Sequence, residues 1–358
     1  MSMRNQSPQA MFEQLAREHV PRRRFGAQSP AEFQAWKAAT LPEALACLGQ
    51  FPERVPLNAE LTAEWEHHGV RQQRWMIDTQ KHLSAAVLVN IPLDLKPGEK
   101  RAAVFCMHGH GPYGKQVVMG DDSMPEQKAA IERSNYAYGL TLAQRGYVTF
   151  SMDWIGFGER NDSVKPNYRN QDHGRDWCDL YYLHATMLGS TTLAFNVAGG
   201  QAALDLVTGF PFVDNSRVGA MGLSAGGTMA LWLSLCDSRI RATEIICYSD
   251  LWADFGFRQI NYCGMQVAPG LYALVDLPDL QGLLAPRPLL ADIGAYDTCF
   301  LVDSATACAD QVKRIYQTAG AAEAFEVDLA PVEHAWPDGK SRAFWNRHLG
   351  EPGTPRAQ

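Results

Sequence analysis

Several features are missing from this chain, and each absence narrows its class. Its eight cysteines form no CxxC pair, and no Cys or His residues cluster at ligand spacing, so the sequence predicts no metal site. Cys106 and Cys247 sit inside apolar runs, Ala-Val-Phe-Cys-Met and Ile-Ile-Cys-Tyr. They read as buried free thiols in a reducing, cytoplasmic protein. No apolar run approaches the ~20 residues of a membrane span. The opening residues, Met-Ser-Met-Arg-Asn-Gln-Ser-Pro, carry no apolar signal-peptide core. There is no block of like charge. The net charge of -7 is dispersed, and the most basic run is only Arg22-Arg23-Arg24, which argues against nucleic acid or an anionic membrane as the main partner. Repeats and low-complexity segments are also absent.

What is present is a chain of 358 residues, 46% of them hydrophobic, enough to bury one large domain core or two small ones. Residues 1–68 read as a helical N-terminal extension packed on the rest. Gln9 to His19 and Pro30 to Leu48 carry apolar residues at helical spacing, and Ser29-Pro30 is an N-cap followed by Pro at the first helical position. From about Val70 the pattern changes. Strands are predicted at 71–79, 83–91, 102–107, 147–152, 217–221, 242–248, 288–293 and 324–329. Helices are predicted at 126–145, 188–208, 228–235, 303–319 and 341–349. This alternation over residues 69–350 predicts an α/β fold, a mainly parallel central sheet with helices on both faces. Two long stretches, 156–189 and 250–285, interrupt it. Both leave the carboxyl ends of predicted strands, where open α/β sheets bind ligands.

The sharpest motif is Gly222-Leu-Ser224-Ala-Gly226, a G-x-S-x-G between a predicted strand and a predicted helix. On such a turn the serine hydroxyl projects into the site as a nucleophile. Side chains at the flanking glycines would collide with neighbouring elements, and the next backbone N–H, that of Ala225, is aimed at a developing oxyanion. A second oxyanion donor is expected from His108-Gly-His-Gly111, directly after an earlier buried strand. We select the His110 backbone N–H, with Gly109 as the second choice. The base must follow Ser224 in sequence, and His334 lies in a loop between the last strand and the last helix, whereas His348 falls inside that helix. Asp297, in the loop after the penultimate strand, is the expected acid. Asp250 competes for that role, and Asp303 reads as a helix N-cap. Gly156-Phe-Gly158 is a turn with no helix after it, so no dinucleotide cradle is predicted. Trp177, Trp252 and Trp336 lie in loops near the expected site and are candidates to wall a pocket.

With these motifs in order, the chain resembles the α/β-hydrolase superfamily over about residues 70–350. More narrowly it is similar to the acetyl xylan esterase-like or dienelactone hydrolase-like branch. The residues that carry this are His108 to Gly111 followed by Lys115, Leu142 to Tyr147, Asp153 to Arg160, Met221 to Gly227 and Leu284 to Leu289. The resemblance implies that Ser224, Asp297 and His334 take the triad positions. Pro112-Tyr113 stands where that branch often has Gly-Gly, Thr298 where it often has Pro, and Ser224 where the dienelactone type has Cys. The expectation is a carboxylic-ester hydrolase that works through an acyl-enzyme on a small-molecule ester, acetyl esters of sugars included, with no cofactor. A homo-oligomer is compatible with the sequence. An amidase or peptidase, or a lactone or carbon–carbon hydrolase, would use the same triad.

Overall fold

The computed structural model describes residues 4–162 and 176–352. Nine strands form one sheet: β1 (Glu60–His67), β2 (Val70–Gln80), β3 (Leu83–Pro92), β4 (Arg101–Met107), β5 (Val148–Met152), β6 (Val213–Leu223), β7 (Ile240–Ile246), β8 (Leu289–Gly294) and β9 (Phe325–Ala330), in the spatial order β1-β2-β3-β5-β4-β6-β7-β8-β9. The first three strands are antiparallel, and β3 also meets β5 antiparallel. From β5 to β9 every pairing is parallel. Of the parallel strands, β4, β5 and β8 are buried along their whole length, as a sheet covered on both faces requires. The carboxyl ends of β4, β6, β8 and β9 therefore share one edge, and the loops that carry the predicted catalytic residues all leave from it.

The N-terminal segment is only partly helical. Pro8–Glu18 and Pro30–Ala46 are helices, the second capped by the Ser29 side chain accepting from Glu32 N–H. The reading of residues 60–68 as helix is corrected, because Glu60–His67 is the edge strand β1. The second helix is anchored to the core of the sheet domain. Phe33, Ala44 and Leu48 are fully buried in the main hydrophobic cluster, each large apolar side chain contributing about 1.5–3 kcal/mol. Arg23 N–H donates to Leu274 O at 2.8 Å.

Two helix predictions also need correcting. The helix expected over 126–145 is two helices, Pro125–Ser134 and Tyr138–Gln144, separated by Asn135 in the left-handed conformation. The one expected over 188–208 starts at Thr192, capped by Thr191, because Gly189 has a positive φ and Ser190 bridges to Gly49. A separate helix, Trp177–Met187, lies inside the 156–189 stretch. Asp303 is not an N-cap: the helix Val302–Thr318 begins one residue earlier and Asp303 sits in its first turn, where its charge still suits the helix dipole.

Candidate active site

β6 ends at Leu223 and the helix Ala225–Cys236 starts at once, with Ser224 alone making the turn at φ 60°, ψ −121°. A positive φ on a non-glycine residue is strained and is kept only where the surroundings enforce it. Here the enforcement is steric. A Cβ on Gly226 would lie 2.1 Å from Met107 O, and one on Gly222 would lie 2.4 Å from the Gly226 backbone. Only two glycines let β6, the following helix and the end of β4 approach this closely. Ser224 N–H is tied to Ile246 O at 2.8 Å.

The residues expected as acid and base, Asp297 and His334, lie in the loops that follow β8 and β9. Asp297 Oδ2 accepts from His334 Nδ1 at 2.8 Å. Asp297 Oδ1 accepts the backbone N–H groups of Cys299 at 2.7 Å and Phe300 at 3.1 Å. Burial alone would raise this carboxyl, but the bond and charge of His334 and the two N–H groups outweigh it and hold Asp297 below its ordinary value. The imidazole stacks on Phe300, with ring centroids 5.7 Å apart and planes 10° from parallel. Its side chain stays 26% exposed while that of Asp297 is 1% exposed, so a buried carboxylate orients a ring that reaches the open site. Asp250 is far from this role. It bonds Leu251 N–H and Ser304 Oγ, and burial lifts its carboxyl to about 7.

The loop after β4 is locked on the opposite side. Trp154 N–H donates to His108 Nε2 at 3.1 Å, so that nitrogen is an acceptor, and Nδ1 carries the proton toward Gly109 O at 2.8 Å. Burial lowers the pKa of His108, in keeping with a neutral ring. Lys115, 1% exposed at its side chain, closes the loop through Asp153 Oδ2 at 2.6 Å and Glu159 Oε2 at 2.5 Å. Gly109 N–H is already committed, donating to Tyr136 Oη at 2.6 Å, which corrects the choice of Gly109 as a second-line oxyanion donor. Among the described residues, the backbone N–H groups of His110 and Ala225 have no protein acceptor.

Ser224, His334, Gly109 and His110 line one cavity of about 480 Å³, together with Tyr113, Val117, Tyr136 and the charged Glu126, Arg133 and Glu333. Ser224 and His334 face the same space without forming a hydrogen bond to each other. Such contacts commonly tighten only when substrate is bound. None of the three predicted tryptophans lines this cavity among the described residues. Trp336 is 1% exposed and donates from Nε1 to Glu244 Oε1 at 2.8 Å beneath the sheet edge. Trp252 stands T-shaped against Tyr272, 5.8 Å away, and lines a separate groove. Trp177 lies 5.4 Å from Tyr181, on the first turn of its helix. The walls are instead Tyr113 and Tyr136 and one face of the helix Pro125–Ser134. That face is exposed and charged, and in sequence it reads as solvated surface.

Spacing along the chain marks no metal ligands, but the fold places possible ligand atoms side by side. The fold brings together His110, Cys178 and Cys263, as well as His67, His68 and Asp122, and Cys247, Asp297 and His334, each set with its ligating atoms within 4.8 Å of one another. Each set joins segments far apart in sequence, beyond the reach of any spacing rule.

The profile of the abhydrolase family matches residues 2–336. The provisionally named hydrolase YtaP of Bacillus subtilis (strain 168) is 23% identical over 292 residues, which cover 80% of this chain and 90% of that protein. A provisionally named acetyl xylan esterase of Bacteroides fragilis shares the fold with a TM-score of 0.72 at 18% identity, over 98% of this chain and 91% of that one. A glucuronoyl esterase from Solibacter usitatus shares it with a TM-score of 0.62 at 16% identity, over 87% and 92%. No described helix is long and apolar enough to cross a membrane.

Proposed function

The chain belongs to the abhydrolase family, and from that premise we propose that it is a serine hydrolase of carboxylic esters with Ser224, His334 and Asp297 as its triad. His334 Nε2 takes the Ser224 proton as Oγ attacks the ester carbonyl. Asp297 holds the Nδ1–H and stabilises the imidazolium. The N–H groups of Ala225 and His110 hold the oxyanion. The alcohol leaves with the proton from His334. Water, deprotonated by the same imidazole, then releases the acid.

The observation that carries this reading is the 2.8 Å bond from His334 Nδ1 to a buried Asp297, on a ring that opens into the cavity of the strained Ser224 turn. The names of the structural relatives, an acetyl xylan esterase and a glucuronoyl esterase, support an ester substrate, and within that class we favour acetyl esters of a sugar or other small molecule. All eight cysteines are free, which supports a cytoplasmic setting. The test is a panel of p-nitrophenyl acetate, p-nitrophenyl butyrate, the matching anilides and a small lactone. The proposal expects ester turnover that favours acetate. Anilide turnover equal to or faster than ester turnover would make the chain an amidase, and lactone-only activity would place it with the lactonases.

A further inference from the structure

His110 has a side chain as well as a backbone N–H, and that side chain reaches Cys178 and Asp176. Its Nε2 lies 3.8 Å from Cys178 Sγ and 3.3 Å from Asp176 Oδ2. Cys263 completes the group, with the ring nitrogen and both sulfurs all within 4.8 Å of one another. The three residues come from three segments: the loop after β4, the first turn of the helix Trp177–Met187, and the stretch after β7. Around a tetrahedral Zn²⁺, with bonds of about 2.3 Å to sulfur and 2.0 Å to nitrogen, a sulfur and a nitrogen ligand sit roughly 3.6 Å apart. The His110–Cys178 separation already matches that edge.

The chemistry of the set points the same way. Two sulfurs and one imidazole are soft donors that select Zn²⁺ over Mg²⁺ or Ca²⁺. Cys178 is fully buried and Cys263 is 8% exposed. Neither lines the cavity with Ser224, so the proposed hydrolysis makes no use of them. The side chains of His110 and Asp176 are each 47% exposed, which leaves one side of the cluster open to entry.

We propose that His110, Cys178 and Cys263 bind one Zn²⁺ ion, with water or the Asp176 carboxylate in the fourth position. Binding breaks two S–H bonds and forms two Zn–S bonds. Both protons pass to the buffer, and nothing is oxidised or reduced. The ion ties the His110 segment to the two long loop stretches, so its role is to fix the loop over the cavity rather than to act on substrate.

The test uses the reduced, metal-stripped full chain titrated with Zn²⁺ alone against a chromogenic chelator, with proton release measured in weak buffer. Wild type should take up one ion and release two protons. Cys178→Ser and Cys263→Ser should each weaken binding by at least about tenfold to a hundredfold, a loss seen even for groups one step removed from a ligand. His68→Ala, which breaks the exposed His67–His68–Asp122 group, should bind as wild type does. A cooperative thermal melt shows that each variant is folded, and fluorophosphonate labelling of Ser224 is followed beside it. Should the cysteine variants fail that check, Co²⁺ added to wild type decides: a thiolate-to-cobalt charge-transfer band supports the site, and its absence overturns it. Wild type that binds no Zn²⁺, or cysteine variants that bind it as tightly as wild type, also overturn the proposal. So does Zn²⁺ that blocks labelling and still binds after Cys178→Ser, since that ion would sit on His334 and Asp297. None of the metal readouts depends on turnover, so the ester reading and the metal site can fail separately.

Discussion

Replacing Asp297 by Asn removes one charge and leaves the shape of the side chain almost unchanged. The structure fixes which way the new amide points. Oδ1 accepts two backbone N–H groups, from Cys299 at 2.7 Å and Phe300 at 3.1 Å, and only a carbonyl oxygen can take that place. The amide NH₂ must then face His334 Nδ1, where Oδ2 now accepts at 2.8 Å. A donor at that position makes Nδ1 an acceptor and moves the ring proton to Nε2, the nitrogen that has to receive the Ser224 proton. The base is then held in the wrong tautomer. The same change in a Ser-His-Asp protease costs about 10⁴ in kcat, which corresponds to about 5.5 kcal/mol of barrier. We expect a loss of that order in Asp297→Asn, with KM nearly unchanged and an equal fall in the rate of fluorophosphonate labelling, because both reactions need the proton removed. The assay is steady-state hydrolysis of p-nitrophenyl acetate beside time-resolved labelling. A kcat within tenfold of wild type would refute the tautomer argument, and so would an equal loss in Asp250→Asn.

Gly226→Ala would put a Cβ 2.1 Å from Met107 O. Because that obstacle is backbone, the variant should lose about 3 kcal/mol of stability and its probe labelling; a denaturant midpoint like that of wild type would contradict the close approach. Asp250 gives a pH-dependent prediction. Its folded carboxyl is raised to about 7 from an ordinary 3.8, so between those values the folded chain keeps a proton that the unfolded chain releases, and stability falls as pH rises through that window. Asp250→Asn should therefore match wild type near pH 4 and exceed it at pH 8, by at most about 4 kcal/mol, with kcat unchanged. Thermal melts at the two pH values check this, and a wild-type advantage at pH 8 would contradict it.

The parallel half of the sheet was legible in sequence because apolar segments such as Arg101–Met107 and Val148–Met152 alternate with helical ones and are punctuated by turn residues. The Ser224 turn was legible because its two glycines and its strand–helix context are steric necessities of one geometry. β1 was not legible. It is an edge strand whose residues are exposed over nearly their whole length, and its brief alternation of Leu61, Ala63 and Trp65 does not set it apart from the helical segments before it. The break at Asn135 rests on one left-handed residue, which helical periodicity does not register. Trp336 lies two residues from His334 yet turns under the sheet to Glu244. Nearness in sequence to a catalytic loop did not predict which way its neighbours face. Tyr136 takes Gly109 N–H out of the oxyanion set from 27 residues away, and the sulfurs near His110 come from farther still. Contacts of that range belong to the fold and leave no local signal.

The central claim is that Ser224 is the nucleophile. The most direct test is intact-mass analysis after fluorophosphonate treatment of folded wild type and folded Ser224→Ala. Wild type should carry a single adduct, mapped to Ser224, and the variant none, with p-nitrophenyl acetate hydrolysis lost in parallel. An adduct that persists on Ser224→Ala, or a folded wild type that takes up no probe, would contradict that claim.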